Sequence, residues 1–127
     1  MTNKKSVQGL GNDILEIKRI QDAIAEHKNR FLDRIFSKQE QMYCDAFKDN
    51  AAAHYAGRFA AKEAVAKALG VGIGEKLSWH DIEIVSSESG KPEARLSPKA
   101  QQRFGNPSLL VSISHCREYV IATAIAF

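Results

Sequence analysis

An alanine-rich stretch over 51–69, free of proline and closed by Gly70, limits the possible folds of this chain more than any other feature. Alanine is the strongest helix former and adds almost no girth, so the stretch is expected as the longest helix, one that neighbours can approach closely. Asn50 stands where a cap would open it and Gly70 where a glycine would stop it. A chain of 127 residues can bury a core around one such helix and is too short to divide comfortably, so a single domain over 1–127 is expected. With 44% hydrophobic and 26% charged residues, the composition is that of a folded globular chain. A net charge of +3 is far from the dense basic coverage that phosphate-backbone binding needs, which argues against a nucleic-acid partner.

The remaining segments divide by periodicity. Residues 6–14 mix Val7, Leu10 and Ile14 with Gly9 and Gly11, the pattern of a strand that bends or lies close to another backbone, with Asp13 at or just past its end. From Leu15 onward Ile17, Ile20 and Ile24 recur at three and four residues, an amphipathic helix with Lys18, Arg19, Asp22 and Glu26 outward. Phe31, Leu32, Ile35 and Phe36 mark a short helical piece, and Ser37 with Glu40 forms a capping box for the next helix, expected to end near 48–50. Beyond Gly70, 71–74 is a loop, 82–85 alternates like a half-buried strand, and the turn 89–92 brings 93–96 back as its hairpin partner. Ser97-Pro98 opens a short helix to Phe104, and 109–114 and 119–127 are β-rich runs around 115–118. The expectation is an α+β fold, a small antiparallel sheet packed with helices. No run reaches secretory or membrane-spanning length, and Cys44 and Cys116 lack metal-ligand spacing, so a cytoplasmic setting with reduced thiols and no membrane contact is expected.

At roughly 100° per residue, Glu63 and Lys67 share one face of the long helix while Arg58 and Lys62 share another. Phe59 and Ala66 lie toward the gap, so part of this charge is expected to face a cleft; an ordinary i,i+4 surface pair of small energetic value is the plainer alternative. Asp13, close behind a glycine, is by itself a turn former or a cap. Two carboxylates from separate elements suit Mg²⁺, a hard cation that takes one or two protein carboxylates and completes its octahedron with water and substrate phosphates. The loop Gly70-Val71-Gly72-Ile73-Gly74 allows close backbone approach but follows a helix, where nucleotide-binding glycine motifs follow a strand. His115 is either a phosphate contact or a surface residue in a turn. Arg19, His27, Lys28 and Arg30 are either a solvated face or a landing surface for an acidic partner.

Gly9-Leu10-Gly11-Asn12-Asp13-Ile14 with Glu16 and Arg19-Ile20, then Arg58-Phe59-Ala60-Ala61-Lys62-Glu63-Ala64 with Lys67-Ala68, then Gly90-Lys91-Pro92, then Val111-Ser112-Ile113-Ser114-His115 occur in that order over nearly the whole chain. Together they resemble the small holo-acyl-carrier-protein synthases, the phosphopantetheinyl transferases of bacterial fatty-acid synthesis. The resemblance implies transfer of 4′-phosphopantetheine from coenzyme A to a serine of apo-acyl carrier protein, with release of adenosine 3′,5′-bisphosphate. It implies Asp13 and Glu63 as Mg²⁺ ligands at the pyrophosphate, Glu63 or a metal-bound water it orients as base, and Lys67 as donor to the leaving phosphate. Arg58 and Lys62 would neutralise coenzyme A phosphates, Ser114 and His115 would contact the nucleotide end, and the loop with Gly70, Gly72 and Gly74 would line the pantetheine path. The first helix would receive the acidic helix of the carrier protein, with Arg19 as main anchor and Lys28 and Arg30 beside it. The implied assembly is a homotrimer with active sites between subunits. One departure stands out: Ala23, Ile24 and Glu26 occupy what is a more basic, methionine-containing surface in the family, and one residue is inserted there. The rivals are a protein that only binds acyl carrier protein and a Mg²⁺-dependent hydrolase acting on coenzyme A or another pyrophosphate.

Overall fold

The computed structural model describes residues 6–127. In chain order they form β1 (Gly9–Glu16), α1 (Ile17–His27), α2 (Asn29–Ile35), α3 (Lys38–Asp45), a 3-10 turn (Lys48–Asn50) and α4 (Ala51–Ala68). A second 3-10 turn (Trp79–Asp81), β2 (Ile82–Ser86), β3 (Pro92–Leu96), α5 (Pro98–Arg103), β4 (Leu109–His115) and β5 (Tyr119–Ala126) complete it. The class is α+β, with two antiparallel sheets where one was expected: β1-β5-β4, and the separate hairpin β2-β3.

α4 is the axis of the molecule. Ala56, Ala60, Ala61, Ala64, Val65 and Ala66 are wholly buried, because β1, β4 and β5 cover one side of the helix while α3 and β2 cover another. β1 comes so close that a Cβ built on Gly9 or Gly11 would run into the carbonyl oxygens of Ala68 and Ala64; at Gly11 it would also lie 2.7 Å from the Ala68 nitrogen. Glycine in the strand and alanine in the helix are two halves of one requirement, a strand backbone laid on a helix backbone.

Several boundaries differ from the sequence reading. β1 runs on to Glu16 because Leu15 pairs with Val120 and Glu16 with Tyr119 in β5, so α1 begins at Ile17 and Asp13 lies within the strand opposite Ala122. Asp13 is therefore neither a turn former nor a cap. Asn50 does not cap α4 with its side chain, since it is already the last residue of a 3-10 turn and lacks the extended geometry that a cap uses. α3 stops at Asp45, and the 3-10 turn rather than a longer helix reaches Asn50. The capping box of Ser37 and Glu40 is present in both directions, Ser97 caps α5 through the Ala100 N–H, and Gly70 leaves α4 at φ 81°.

Strand alternation divides the three-stranded sheet into unlike faces. Toward α4 it presents Gly11, Leu15, Ala122, Ala124 and Ala126; away from it stand Leu10, Ile14, Leu110, Tyr119 and Ile121, all exposed, with Leu10 at 64% and Ile14 at 67%.

Candidate active site at the junction of the first strand and the central helix

The close contact of β1 with α4 brings Asp13 and Glu63 to one cavity of 420 Å³, with Arg19 of α1 on its rim and Phe31 and Phe59 in its wall. Lys67, one helical turn beyond Glu63, reaches across: its Nζ donates to Asp13 Oδ1 at 3.2 Å and to the Asn12 carbonyl oxygen at 2.9 Å. Burial raises the Glu63 carboxyl above its ordinary range, Asp13 raises it further by repulsion, and Lys67 pulls the other way. Two mutually repelling carboxylates at a half-buried wall are relieved by a cation. Their number and hardness fit Mg²⁺, which needs few protein ligands and leaves positions for water and phosphate.

Other residues singled out from sequence lie elsewhere. Arg58 is buried: its Nη2 donates to Ser86 Oγ at 2.8 Å, its guanidinium lies 3.8 Å above the Tyr43 ring, and its Nε has no hydrogen-bond partner among the described residues. It borders a second cavity, of 330 Å³, together with Ser86, Ser87 and Arg95. His115 ends β4 with its ring 6.4 Å from that of His54, which is itself stacked on Phe47 at 3.5 Å. Desolvation lowers the His54 pKa, and the charges of Arg58 and His115 lower it further. Ser114, adjacent in a strand, faces the opposite side of the sheet, so one chain does not aim Ser114 and His115 at the same ligand. Gly70, Gly72 and Gly74 border open space in the loop after α4, Gly70 and Gly72 with φ of 81° and 69°. Lys28 joins α1 to α2 at φ 51°, and Arg30 lies exposed in the first turn of α2.

Lys62 requires a correction. The expectation placed it on coenzyme A phosphates, but its ammonium is wholly buried at 2.8 Å from Glu40 Oε1 and donates to the carbonyl oxygens of Ile35 at 2.6 Å and Trp79 at 3.2 Å. Burial pulls its pKa down while Glu40 holds it up. Removing one partner of such a pair costs about 3–5 kcal/mol, because the other charge is left stranded. Sequence reading found Glu40 only as a cap, and it missed the Arg58–Tyr43 contact altogether. Cys44 is buried, which pushes its thiol up to about 12 and leaves it unreactive, while Cys116 is exposed.

A half-buried carboxylate pair, with a lysine on Asp13 and set between a glycine strand and an alanine helix, marks a small α+β protein with a charged cleft that would suit a divalent cation. The chain belongs to the 4′-phosphopantetheinyl transferase superfamily, whose family model matches residues 9–124. It is 52% identical over 117 residues to a holo-[acyl-carrier-protein] synthase of Protochlamydia amoebophila, covering 92% of this chain and 95% of that one. A synthase of the same description from Geobacter metallireducens is 45% identical over 120 residues, covering 92% and 94%. Among solved structures, the Helicobacter pylori holo-[acyl-carrier-protein] synthase in complex with coenzyme A matches with a TM-score of 0.86 and 39% identity, over 93% of this chain and 99% of that one. The Bacillus anthracis synthase in complex with CoA (3′,5′-ADP) matches at 0.82 and 34%, over 94% and 96%.

Proposed function

We propose that this chain, acting as a single domain, transfers the 4′-phosphopantetheine arm of coenzyme A to a serine of apo-acyl carrier protein in fatty-acid biosynthesis, releasing adenosine 3′,5′-bisphosphate. The observation that carries the reading is the Asp13–Glu63–Lys67 constellation, held at backbone precision in a chain of this family. The serine oxygen attacks the β-phosphorus, the bond from that phosphorus to the bridging oxygen breaks, and the electron pair leaves with the adenosine bisphosphate. Asp13 and Glu63 would hold Mg²⁺, which when bound would supply charge neutralisation at the pyrophosphate. Glu63, or a water that it orients, takes the serine proton; the raised carboxyl pKa brings its basicity nearer to neutral pH, where a general base works best. Lys67 can turn from Asp13 to the departing phosphate, since half of its side chain is exposed.

Arg58 is assigned to the phosphates of coenzyme A from the edge of the 330 Å³ cavity, His115 to the nucleotide end, and the Gly70, Gly72 and Gly74 loop to the pantetheine path. Arg19 on the cavity rim, with Lys28 and Arg30 beyond it, receives the acidic face of the carrier protein. The assembly is a cytoplasmic homotrimer: the exposed Leu10, Ile14, Leu110 and Ile121 supply an apolar face of the kind that subunits cover. Among the described residues no helix is long and apolar enough to cross a membrane.

Intact mass spectrometry of apo-acyl carrier protein incubated with this chain, coenzyme A and Mg²⁺ tests the reading. The expected result is a mass gain matching phosphopantetheine that disappears with a chelator. Release of adenosine bisphosphate without carrier protein would identify a hydrolase instead.

A further inference from the structure

The buried Lys62–Glu40 pair takes no part in the chemistry above, yet it adjoins it. Three partners surround the Lys62 ammonium: Glu40 Oε1, Ile35 O and Trp79 O. Glu40 in turn accepts from the Ser37 N–H at 2.8 Å and, through Oε2, from the Ile84 N–H at 2.8 Å. One ion pair therefore ties α4 to the end of α2, the start of α3, the turn Trp79–Asp81 and β2.

The next residue of α4 is Glu63, about a hundred degrees around the helix. Two aromatic contacts lead from the pair toward the Asp13–Glu63 cavity. Trp79, whose carbonyl accepts from Lys62, lies 4.9 Å from Phe59; Phe36, whose ring centroid is 5.6 Å from Lys62 Nζ, meets Phe31 at 6.3 Å. Phe31 and Phe59 both line that cavity. Asp13 and Lys67 shift the Glu63 carboxyl directly, and the influence of Lys62 on Glu63 runs through this packing. An alanine surface has shallow ridges and interlocks weakly with its neighbours, so it does little to fix the rotation of a helix. A buried polar pair with directional bonds fixes register, which is the best-attested use of such groups.

We propose that Lys62 is a positioning residue: through Glu40 it sets the rotation of α4 and thereby aims Glu63 at Asp13. The inference rests on the transferase reading. Its test compares wild type, Lys62→Met and the double variant Glu40→Leu/Lys62→Met in the mass-spectrometric transfer assay, each below its melting temperature. The double variant strands no charge and is expected to melt above Lys62→Met, though below wild type because the Ile35 and Trp79 carbonyls and the Ser37 and Ile84 N–H groups lose their partners. Both variants are expected to lose about tenfold to a hundredfold in kcat while KM for coenzyme A moves less than about threefold. A double variant that turns over like wild type overturns the proposal, as does kcat that recovers fully on cooling. If neither variant folds, Glu40→Asp, which keeps the charge and shortens one arm, decides by the same split between kcat and KM. A wild type that transfers nothing overturns the transferase reading instead, and this inference with it.

Discussion

The two faces of the β1-β5-β4 sheet differ in where small residues are concentrated. Toward α4 small residues line the crossing with the helix, Gly11 with Ala122, Ala124 and Ala126, beside the larger Leu15 and Val120, while the face turned to solvent carries Leu10, Ile14, Leu110 and Ile121. Large apolar groups left outside are a poor arrangement for a chain that works alone, because each buried leucine-sized group contributes about 1.5–3 kcal/mol. The inner face trades that gain for proximity: small residues let Asp13 and Glu63 meet across two backbones. The outer face holds its apolar surface available for other copies of the chain, in keeping with the proposed trimer. On the proposed reading, one sheet serves chemistry on one side and assembly on the other.

Changes at the inner face should strike activity hardest. Glu63→Gln is expected to lower turnover by about a hundredfold or more at saturating Mg²⁺, measured by the mass gain on carrier protein. The same variant should melt higher at pH 7. Glu63 has a raised carboxyl pKa in the folded chain, so its ionised form opposes folding above that pKa, and the difference should vanish below the ordinary value of 4.5. A melting temperature at pH 7 below that of wild type would contradict the burial and repulsion assigned to this group.

Gly11→Ala is the next largest effect. Its Cβ would meet the backbone of Ala64 and Ala68, so β1 must lift from α4, at a cost of about 1–3 kcal/mol and a loss of activity through displaced Asp13. Leu10→Ala, one residue away on the other face, should leave the fold nearly as stable when tested by urea unfolding at low protein concentration. Equal losses for the two would remove the distinction between the faces.

Leu110→Asp should leave far-ultraviolet circular dichroism intact, reduce the mass found by light scattering to that of one chain, and lower activity by about tenfold. A monomer with wild-type activity would end the reading of the outer face as an assembly surface. Smallest of all, Arg19→Ala should raise KM for carrier protein several-fold with little change in kcat, and reduce its salt sensitivity. An effect confined to coenzyme A would move Arg19 from the carrier surface to the substrate cleft.

Much of this arrangement is legible in the sequence, because its parts are local or periodic. The alanine run, the capping box at Ser37, the Ser97-Pro98 helix start and the glycines of β1 each announce a backbone geometry in their own neighbourhood. The errors arise where tertiary partners decide. Asp13 read as lying at a strand end because its pairing with Ala122 is supplied by β5, at the far end of the chain. The family resemblance of its motif places Lys62 on coenzyme A phosphates, and nothing near it in sequence betrays Glu40. The opposite facing of Ser114 and His115 was available from strand alternation alone.

The contact of Gly9 and Gly11 with Ala64 and Ala68 also bears on engineering. The gap between the two carboxylates is measured out by hydrogen atoms rather than side chains, so no repacking elsewhere can widen it gracefully, and none is needed to maintain it. A library aimed at new carrier proteins can therefore place its diversity on the proposed carrier surface, along the outward face of α1 and in α2. These four small positions should be held constant, as a jeweller holds the setting while changing the stone.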